Sequence, residues 1–413
     1  MNEELSRFEL LYDQYSFTFH GVKMNKVICL DLWMFANQRL RLKTLRVLGN
    51  FILAKNVYKM RTDCEILSTS GAGGRKDHLE LYKSVIERLD RKTVFNNPDS
   101  WGYRLVLNPL MIFTVVKTSL RLLKNAELNC RDKIAMISEV CFYCNTLLLL
   151  NKLDFSRVKK YVCEIDIRRF ENLLTQYLQI RKVPTFSMEE GMFYIFRGQI
   201  PHDSVHYRVL TTDKLLCWSQ YVMDEYMSYG IKENRLILAG YPKKVSLYDM
   251  VIEKPMSKCI VLLARNSFRE ANYKLLNILN GYSDKYEFCL KLHPSLDYNE
   301  YSDYADTHQM KIVEKTKTIN DCIKPGEFNW SIAVNTTAYY ESLIRGLPCL
   351  RFLHKSFQLP LGLDDFFDSK EALENKIQWI SSIERSRYQK EVNEMLKYTM
   401  GLGIDNYRVA ILS

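Results

Sequence analysis

Side chains that can bind phosphate follow two apolar segments in the second half of the sequence. His293 and Pro294 end the segment that begins at Phe288, and Thr336 and Thr337 end another. Both segments read as strands of consecutive βα units, which places these residues at the carboxyl ends of parallel strands, where ligands bind in open α/β sheets. The threonines also begin a predicted helix, whose free N–H groups favour a phosphate. The pattern therefore predicts a phosphate-binding cleft with a histidine at its edge.

Three further polar residues accompany these motifs. Asn335 precedes the threonine pair, and Asn266 and Ser267 follow Lys258–Ala264, a continuous apolar run that reads as a buried parallel strand. We assign all three, together with Pro294, to the same binding site. The structural alternatives are that the histidine caps a strand end and that the threonines are plain helix caps.

A pair of glutamates precedes a glycine in the first half of the chain. The segment from Val183 reads as a strand that runs into Glu189, Glu190 and Gly191, and the glycine allows a turn. A carboxylate in this position is expected at the lip of a cleft. Two glutamates in a loop are also common on a solvated surface, and the pair alone does not separate these interpretations.

The elements that carry these residues predict an α/β protein with two Rossmann-like domains facing a cleft. A chain of 413 residues is long enough for two domains, and short apolar strand segments alternate with segments of helical periodicity. We expect residues 1–245 to form the first domain and residues 255–390 the second, with a polar connection between them. Residues 391–413 are expected to pack back on the first domain.

Two segments near the N-terminus are harder to interpret. Lys26–Leu32 is apolar and is predicted to be the first strand. Gly71–Gly74 lies between a predicted strand and a predicted helix but matches neither of the glycine patterns typical of nucleotide-binding loops. An acceptor or anion contact and a mobile surface loop are equally good interpretations of this glycine-rich segment.

The cysteines and the long apolar run indicate a reduced, cytoplasmic protein. The eleven cysteines lie singly in apolar contexts except for Cys141 and Cys144, whose C-x-x-C spacing we interpret as core packing. The first residues lack the basic and apolar regions of a secretory signal. Ile134–Leu150 contains Glu139, which favours a buried helix over a membrane span.

The net charge of +10 is unevenly distributed along the chain. Arg39–Arg61 contains seven basic residues and no acidic one, interleaved with leucines and other apolar residues. We predict a basic helix that contacts an anionic membrane or a polyanionic substrate. An ordinary solvated helix face is the alternative.

The motifs Glu189-Glu190-Gly191, His293-Pro294 and Thr336-Thr337 follow one another in this order. The arrangement resembles the bacterial sialyltransferases and polysialyltransferases, two-domain glycosyltransferases of the GT-B fold that share an acid-acid-Gly motif, a His-Pro motif and a Ser/Thr pair. The resemblance covers residues 185–352 and departs from the family in having Thr-Thr where serine is common. The CDP-glycerol glycerophosphotransferases of teichoic-acid synthesis share the later motifs but usually carry a histidine where this chain has Glu190.

The resemblance implies an inverting glycosyltransferase that uses a CMP-activated sialic acid-type donor to build a bacterial capsule or lipopolysaccharide. Glu190 would be the general base, and Glu189 is the second candidate for that role. His293 would donate to the donor phosphate as charge develops there, and Thr336 and Thr337 would hold that phosphate. The scheme needs no metal and no cofactor besides the donor. The expected partners are the nucleotide sugar, a glycan or glycolipid acceptor and, peripherally, the inner face of the plasma membrane, with no nucleic acid.

Other functions fit the same motifs. A CDP-glycerol glycerophosphotransferase-like enzyme or a nucleoside-diphosphate-hexose glycosyltransferase is the first alternative, since a fold alone does not choose a donor. A non-catalytic glycan- or nucleotide-binding protein would keep the pocket and lack the base, and the presence of Glu190 argues against it. The exact sugar, the acceptor, the linkage and the oligomeric state are left open by the sequence.

Overall fold

The chain divides into two compact units. The computed structural model describes residues 3–39, 42–71, 76–89, 92–189, 209–252, 254–314, 316–323, 326–357, 359 and 361–413. The first unit contains the described residues up to Lys243 together with Gly403–Ser413, and the second contains those of Lys244–Leu402.

The first unit contains ten strands and, up to Lys243, nine α-helices among its described residues. The strands are β1 (Thr18–Phe19), β2 (Val22–Lys23), β3 (Leu53–Lys55), β4 (Ile66–Thr69), β5 (Thr93–Asn96), β6 (Tyr103–Leu105), β7 (Lys160–Cys163), β8 (Thr185–Met188), β9 (Lys214–Cys217) and β10 (Leu236–Leu238). The helices are α1 (Glu3–Gln14), α2 (Met24–Val27), α3 (Cys29–Ala36), α4 (Thr44–Ile52), α5 (Lys76–Ile86), α6 (Pro109–Leu122), α7 (Cys130–Leu150), α8 (Arg169–Ile180) and α9 (Gln220–Ser228).

A parallel six-stranded sheet forms the centre of the first unit. Its strand order is β10-β9-β8-β7-β4-β5, so the chain adds β5 on one side of β4 and then continues on the other side with β7. The reversal makes a topological switch point between β4 and β7, the position at which ligands bind in open sheets of this kind. Two small antiparallel pairs, β1 with β2 and β3 with β6, lie outside this sheet.

Helix α7 is part of the core of the first unit. It is the one helix among the described residues that is long and apolar enough to cross a membrane, and 83% of its most apolar window is buried. Cys141 and Cys144 are buried in it, and burial raises the pKa of both thiols. The predicted buried helix is confirmed, and both cysteines pack in the core of the first unit.

The second unit contains six strands and six α-helices among its described residues. The strands are β11 (Lys258–Leu262), β12 (Glu287–Lys291), β13 (Lys311–Ile312), β14 (Trp330–Val334), β15 (Cys349–Phe352) and β16 (Phe366–Phe367). The helices are α10 (Arg269–Asn280), α11 (Tyr298–Thr307), α12 (Ile319–Cys322), α13 (Ala338–Ile344), α14 (Lys370–Ser382) and α15 (Arg385–Met400).

The sheet of the second unit is also parallel throughout. Its order is β13-β12-β11-β14-β15-β16, the 3-2-1-4-5-6 order of a doubly wound fold, with its switch point between β11 and β14. Strands β11 and β14 are almost wholly buried, as expected for strands covered on both faces. The predicted α/β class with two Rossmann-like domains is therefore confirmed.

The last residues of the chain belong to the first unit. Helix α16 (Tyr407–Leu412) follows Asn406, whose backbone N–H donates to the Ala239 carbonyl at 2.9 Å, and the Tyr407 hydroxyl donates to the Gly240 carbonyl at 2.8 Å. Gly240 has φ +96°, and a Cβ there would lie 1.9 Å from the Ile404 carbonyl oxygen. Only glycine permits this close approach.

Two predicted elements are wrong. Lys26–Leu32 is not a strand, because its apolar residues belong to α2 and α3, which pack in the core on several sides. In the described part of the predicted basic helix over Arg39–Arg61, the α-helix covers Thr44–Ile52 alone, because the chain then pairs as β3 with β6. A short apolar run does not reveal its period, and tertiary pairing overrides local propensity.

Candidate functional site

Three loops of the second unit meet at the carboxyl edge of its sheet. Asn266 and Ser267 follow β11 in a 3-10 turn, His293 follows β12, and Thr336 and Thr337 follow β14. Because β11 lies between β12 and β14, neighbouring loops are separated by about one strand spacing of 5 Å. The fold thus gathers these residues at the switch point and beside it.

The imidazole of His293 is fixed by the residue two positions later. Its Nδ1 accepts a hydrogen bond from the Ser295 N–H at 3.1 Å and lies 2.9 Å from the Ser295 hydroxyl. The same hydroxyl accepts from the Asn266 N–H at 3.2 Å, which joins the loops after β11 and β12. Because Nδ1 is an acceptor, the proton of the neutral ring is on Nε2. His293 is therefore a hydrogen-bond donor through Nε2.

The turn after β14 has an unusual backbone. Asn335 has φ +32°, and its side-chain oxygen is buried without a hydrogen-bond partner in the described part of the chain. Thr337 occupies the N-cap position of α13 and makes no side-chain capping bond, whereas the Thr336 hydroxyl accepts from the Ala338 N–H at 3.3 Å. Strained backbone and unsatisfied polar atoms each cost about 1–3 kcal/mol and cluster at binding sites. Thr337 is therefore not an ordinary helix cap, because its side chain caps no backbone N–H group.

A buried lysine at the same edge was missed by the sequence analysis. Lys291 ends β12, two residues before His293, and is 9% exposed. Its hydrogen bond is a long one of 3.5 Å to the Leu292 carbonyl, and within the described residues it forms no ion pair with a carboxylate. A buried ammonium group is costly unless an anion lies beside it. The signal in the sequence is a lysine that interrupts the apolar run before His293.

The carboxyl edge of the first sheet holds a second polar cluster. Ser70 follows β4, and its hydroxyl donates to Glu164 Oε2 at 2.5 Å; Glu164 follows β7. Arg168 Nη1 donates to the same carboxylate oxygen at 2.9 Å and also to the Gly71 carbonyl. The cluster bridges β4 and β7, the two strands at the switch point. Of the Gly71–Gly74 segment, only Gly71 lies within the described residues.

Glu171 has the most perturbed environment in this cluster. It lies in the first turn of α8, and its Oε1 accepts from the Gly71 N–H at 2.8 Å. Burial raises the pKa of Glu171 to about 7, with Arg168 acting against the rise. A carboxyl group with such a pKa exists in both protonation states near neutral pH and suits proton transfer.

A cavity of about 690 Å³ opens beside Glu171 in the first unit. Its lining combines charged groups with aromatic rings. The charged lining residues are Arg46, Lys55, Asp99, Glu139, Arg168, Arg169 and Glu171, and the aromatic ones are Tyr103, Phe142, Tyr143 and Phe170. A cavity with aromatic faces and many hydrogen-bonding groups suits a polyhydroxylated ligand.

The arginines in the walls of this cavity are held by buried carboxylates. Glu139 Oε1 accepts from Arg46 Nη2 at 2.7 Å and from Asn50 Nδ2 at 2.9 Å, although burial raises the pKa of Glu139. Arg169 forms two hydrogen bonds to the Asp31 carboxylate, at 2.5 and 2.6 Å. The site was not predicted from the sequence because its lining residues come from helices, strands and loops far apart in the chain.

Glu189, the first residue of the predicted acid pair, directly follows β8. Glu189 is buried; its Oε2 accepts from the Trp218 N–H at 2.6 Å, and its Oε1 has no partner among the described residues. Burial raises the pKa of Glu189 well above its ordinary value, which favours the protonated form of the carboxyl group. Glu189 is therefore not the solvated surface residue of the alternative interpretation. Glu190 and Gly191 lie outside the described residues, and the role of Glu190 stays a prediction.

Neither sheet edge has a cluster of metal-ligating side chains among its described residues. Within the described ranges, no group of three or more His, Cys, Asp or Glu side chains could hold a metal ion. The expectation of a metal-independent reaction stays a prediction.

Comparisons with known proteins concern the fold. No protein-family model and no curated protein matches the sequence. The lipopolysaccharide outer core galactosyltransferase WaaB in its apo form is 11% identical, with 80% of this chain and 95% of that chain covered and a TM-score of 0.48. A UDP-N-acetylglucosamine 2-epimerase from Rickettsia bellii is 13% identical over 84% of this chain and 95% of that one, with a TM-score of 0.48. A mutant O-GlcNAc transferase from Thermobaculum terrenum is 11% identical, with 100% of this chain and 76% of that chain covered and a TM-score of 0.44.

Proposed function

We propose that this protein is an inverting glycosyltransferase that holds a nucleotide-activated sugar at the carboxyl edge of its second sheet. The observation that carries the proposal is the fixed tautomer of His293, whose Nδ1 accepts from the Ser295 N–H at 3.1 Å. A donor at Nε2 stabilises the negative charge that develops on a departing phosphate. The buried ammonium of Lys291 supplies a positive charge to the same phosphate.

The neighbouring polar groups complete the phosphate site in this proposal. The hydroxyls of Thr336 and Thr337 donate hydrogen bonds to the phosphate, and the side-chain amide of Asn335 binds the nucleotide or the sugar. Asn266 and Ser267 contact the donor from the loop after β11, and Pro294 shapes the loop that carries His293. The unsatisfied Asn335 oxygen supports this assignment, because a bound ligand would satisfy it.

The donor we propose is a CMP-activated sugar of the sialic acid type, used to build a bacterial surface polysaccharide. Support for this choice is the order of the acid-acid-Gly, His-Pro and Thr-Thr motifs. A nucleoside diphosphate donor would carry a second phosphate to the same edge, and a CDP-glycerol donor would transfer a glycerophosphate instead of a sugar. A nucleoside diphosphate sugar releases a nucleoside diphosphate, whereas a CMP-activated sugar and CDP-glycerol both release CMP. An assay that supplies one donor at a time therefore distinguishes the three.

We assign the acceptor to the cavity of the first unit. Its aromatic faces pack against sugar rings, and its arginines and carboxylates bond to sugar hydroxyls, which supports a glycan or glycolipid acceptor. Glu190 remains the proposed general base. Glu189 is the weaker candidate because burial raises its pKa, and a base must be ionised to accept a proton.

The reaction follows from these roles. The acceptor hydroxyl oxygen attacks the anomeric carbon of the donor and forms the new glycosidic bond. The bond between that carbon and the phosphate oxygen breaks, and its electron pair leaves with the nucleotide. The hydroxyl proton passes to the carboxylate base, while His293 and Lys291 stabilise the phosphate.

The test is a nucleotide-release assay with the purified chain, a glycan acceptor panel and CMP-, CDP- and UDP-activated donors. We expect acceptor-dependent release of CMP from the CMP-activated donor. This release should be lost in His293→Ala and kept in the control His308→Ala, at a histidine that directly follows α11 in the same unit. Release of UDP, or release of any nucleotide from the CDP-activated donor, would contradict the proposed donor class. Binding of nucleotide without release from any donor would contradict the enzymatic function.

A further inference from the structure

Helix α4 turns Arg46 and Asn50 towards α7 and leaves two leucines exposed. Arg46 and Asn50, one turn apart, contact the buried Glu139, and Asn50 is the buried residue of the helix. Leu45 is 85% exposed, and Leu48 is also more than half exposed. A helix on a soluble domain normally turns its apolar stripe to the core. The reversed orientation of α4 leaves leucines facing outward.

A second segment exposes large apolar side chains in the same way. Tyr103 and Leu105 of β6 are more than half exposed, as is Phe113 of α6, and Leu110 of α6 is 76% exposed. Leu110 and Phe113 are three residues apart and share one face of the helix. The opposite face of α6 is buried through Met111, Val115 and Ser119.

The two segments are joined in the fold. Strand β3 continues α4 and pairs antiparallel with β6, with Leu53 opposite Leu105, and the Val106 N–H donates to the Ile52 carbonyl at 2.7 Å. Helices α4 and α6 both pack on α7. We call the outward side chains of Leu45, Leu48, Tyr103, Leu105, Leu110 and Phe113 the apolar face.

The two segments that carry the apolar face contain basic residues and no acidic ones. Neither residues 39–61 nor residues 101–126 contain an aspartate or a glutamate. Lys43, Lys59, Arg104 and Lys117 are exposed within these two segments. Exposed apolar residues in such a group mark an interaction site, and basic residues beside them match anionic lipid headgroups.

We propose that the first unit docks on an anionic lipid bilayer through the apolar face. The apolar side chains enter the boundary between headgroups and acyl chains, and the surrounding lysines and arginines contact the headgroups. The surface is built from α4, β6 and α6 together, whereas the sequence had pointed to one basic helix.

Docking has a consequence for the acceptor, which rests on the proposed function. Leu45 and Tyr103 of the apolar face also line the cavity of the first unit. The cavity therefore opens beside the bilayer, and the acceptor is a lipid-linked saccharide whose sugar enters the cavity while its lipid stays in the membrane.

The test is co-sedimentation of the full chain with vesicles of phosphatidylcholine and with vesicles of equal parts phosphatidylcholine and phosphatidylglycerol. We expect binding to the anionic vesicles. The triple variant Leu48→Ser, Leu110→Ser, Phe113→Ser should lower the partition coefficient roughly tenfold or more, since each side chain loses its transfer into the apolar boundary. Exchanging Lys43 and Lys117 for glutamine should lower it about fivefold per charge. Val409→Ser, an exposed apolar site on α16, is the matched control and should bind as the wild type does.

Three results would overturn the proposal. One is the absence of binding to both kinds of vesicle at low salt. Another is binding to anionic vesicles that the serine variant retains in full, because the charges alone would then account for it. The third is a dimer in solution that the serine variant abolishes, which would assign the apolar face to a second copy of the chain. Vesicle binding without any nucleotide release would leave the docking proposal standing and overturn only the enzymatic one.

Discussion

Burial of the Glu171 carboxyl group disfavours its charged form. Its pKa rises from an ordinary 4.5 to about 7 because of burial. Between these values the folded state binds more protons than the unfolded state, so this group's contribution to stability is complete below the lower pKa and is lost as pH rises through the upper one. A shift of this size corresponds to at most about 3 kcal/mol.

We expect Glu171→Gln to stabilise the protein increasingly as pH rises. The amide keeps an oxygen to accept from the Gly71 N–H and carries no charge at any pH. The melting temperature of the variant relative to the wild type should increase by several degrees between about pH 5 and about pH 8. Glu127→Gln, at an exposed site, should show no such trend. A difference for Glu171→Gln that is constant with pH would contradict the assigned cause.

His293 and Glu190 have separable roles in the proposed reaction. His293→Ala should lower turnover by about 100- to 1,000-fold, because a donor to the leaving phosphate is lost. Glu190→Gln should lower it by about 100- to 10,000-fold while nucleotide binding survives. A donor with a better leaving group needs less help at the phosphate, so it should partly rescue His293→Ala and do little for Glu190→Gln. Equal rescue of both variants, measured as kcat, would show that the roles are wrongly assigned.

At the scale of elements, the turn between β14 and α13 links backbone strain to binding. Asn335 has φ +32°, a region that glycine adopts freely and alanine does not. We expect Asn335→Gly to be more stable than Asn335→Ala by about 1 kcal/mol, measured by thermal unfolding. Both variants lose the amide, so both should bind nucleotide about tenfold more weakly. Wild-type affinity in both would remove Asn335 from the donor site.

The elements also show where sequence reasoning succeeds. The βα units around His293 and Thr336 were predictable because β12 and β14 are mostly apolar segments followed by polar turns. The strand predicted over Lys26–Leu32 was wrong because an apolar run that is buried on all sides has the same sequence pattern in a helix and in a strand. The cavity lined by Arg46, Glu139 and Glu171 was not predictable, since only the packing of α4, α7 and α8 brings these residues together.

At the scale of the whole molecule, the two units carry two polar switch-point edges of different character. The second unit offers a hydrogen-bond donor at His293 and a buried cation at Lys291, which suit a phosphate. The first offers a cavity with carboxylates, arginines and aromatic rings, which suits a polyhydroxylated ligand. This division supports a donor site on the second unit and an acceptor site on the first.

The measurement that tests this division most directly is a crystal structure of the protein with bound CMP. We expect the CMP phosphate to bind at the carboxyl edge of the second sheet, with one of its oxygens about 2.7–3.1 Å from His293 Nε2. The phosphate should also contact Lys291 and the Thr337 hydroxyl. A phosphate bound in the cavity of the first unit, or bound in the second unit away from His293, would contradict the account.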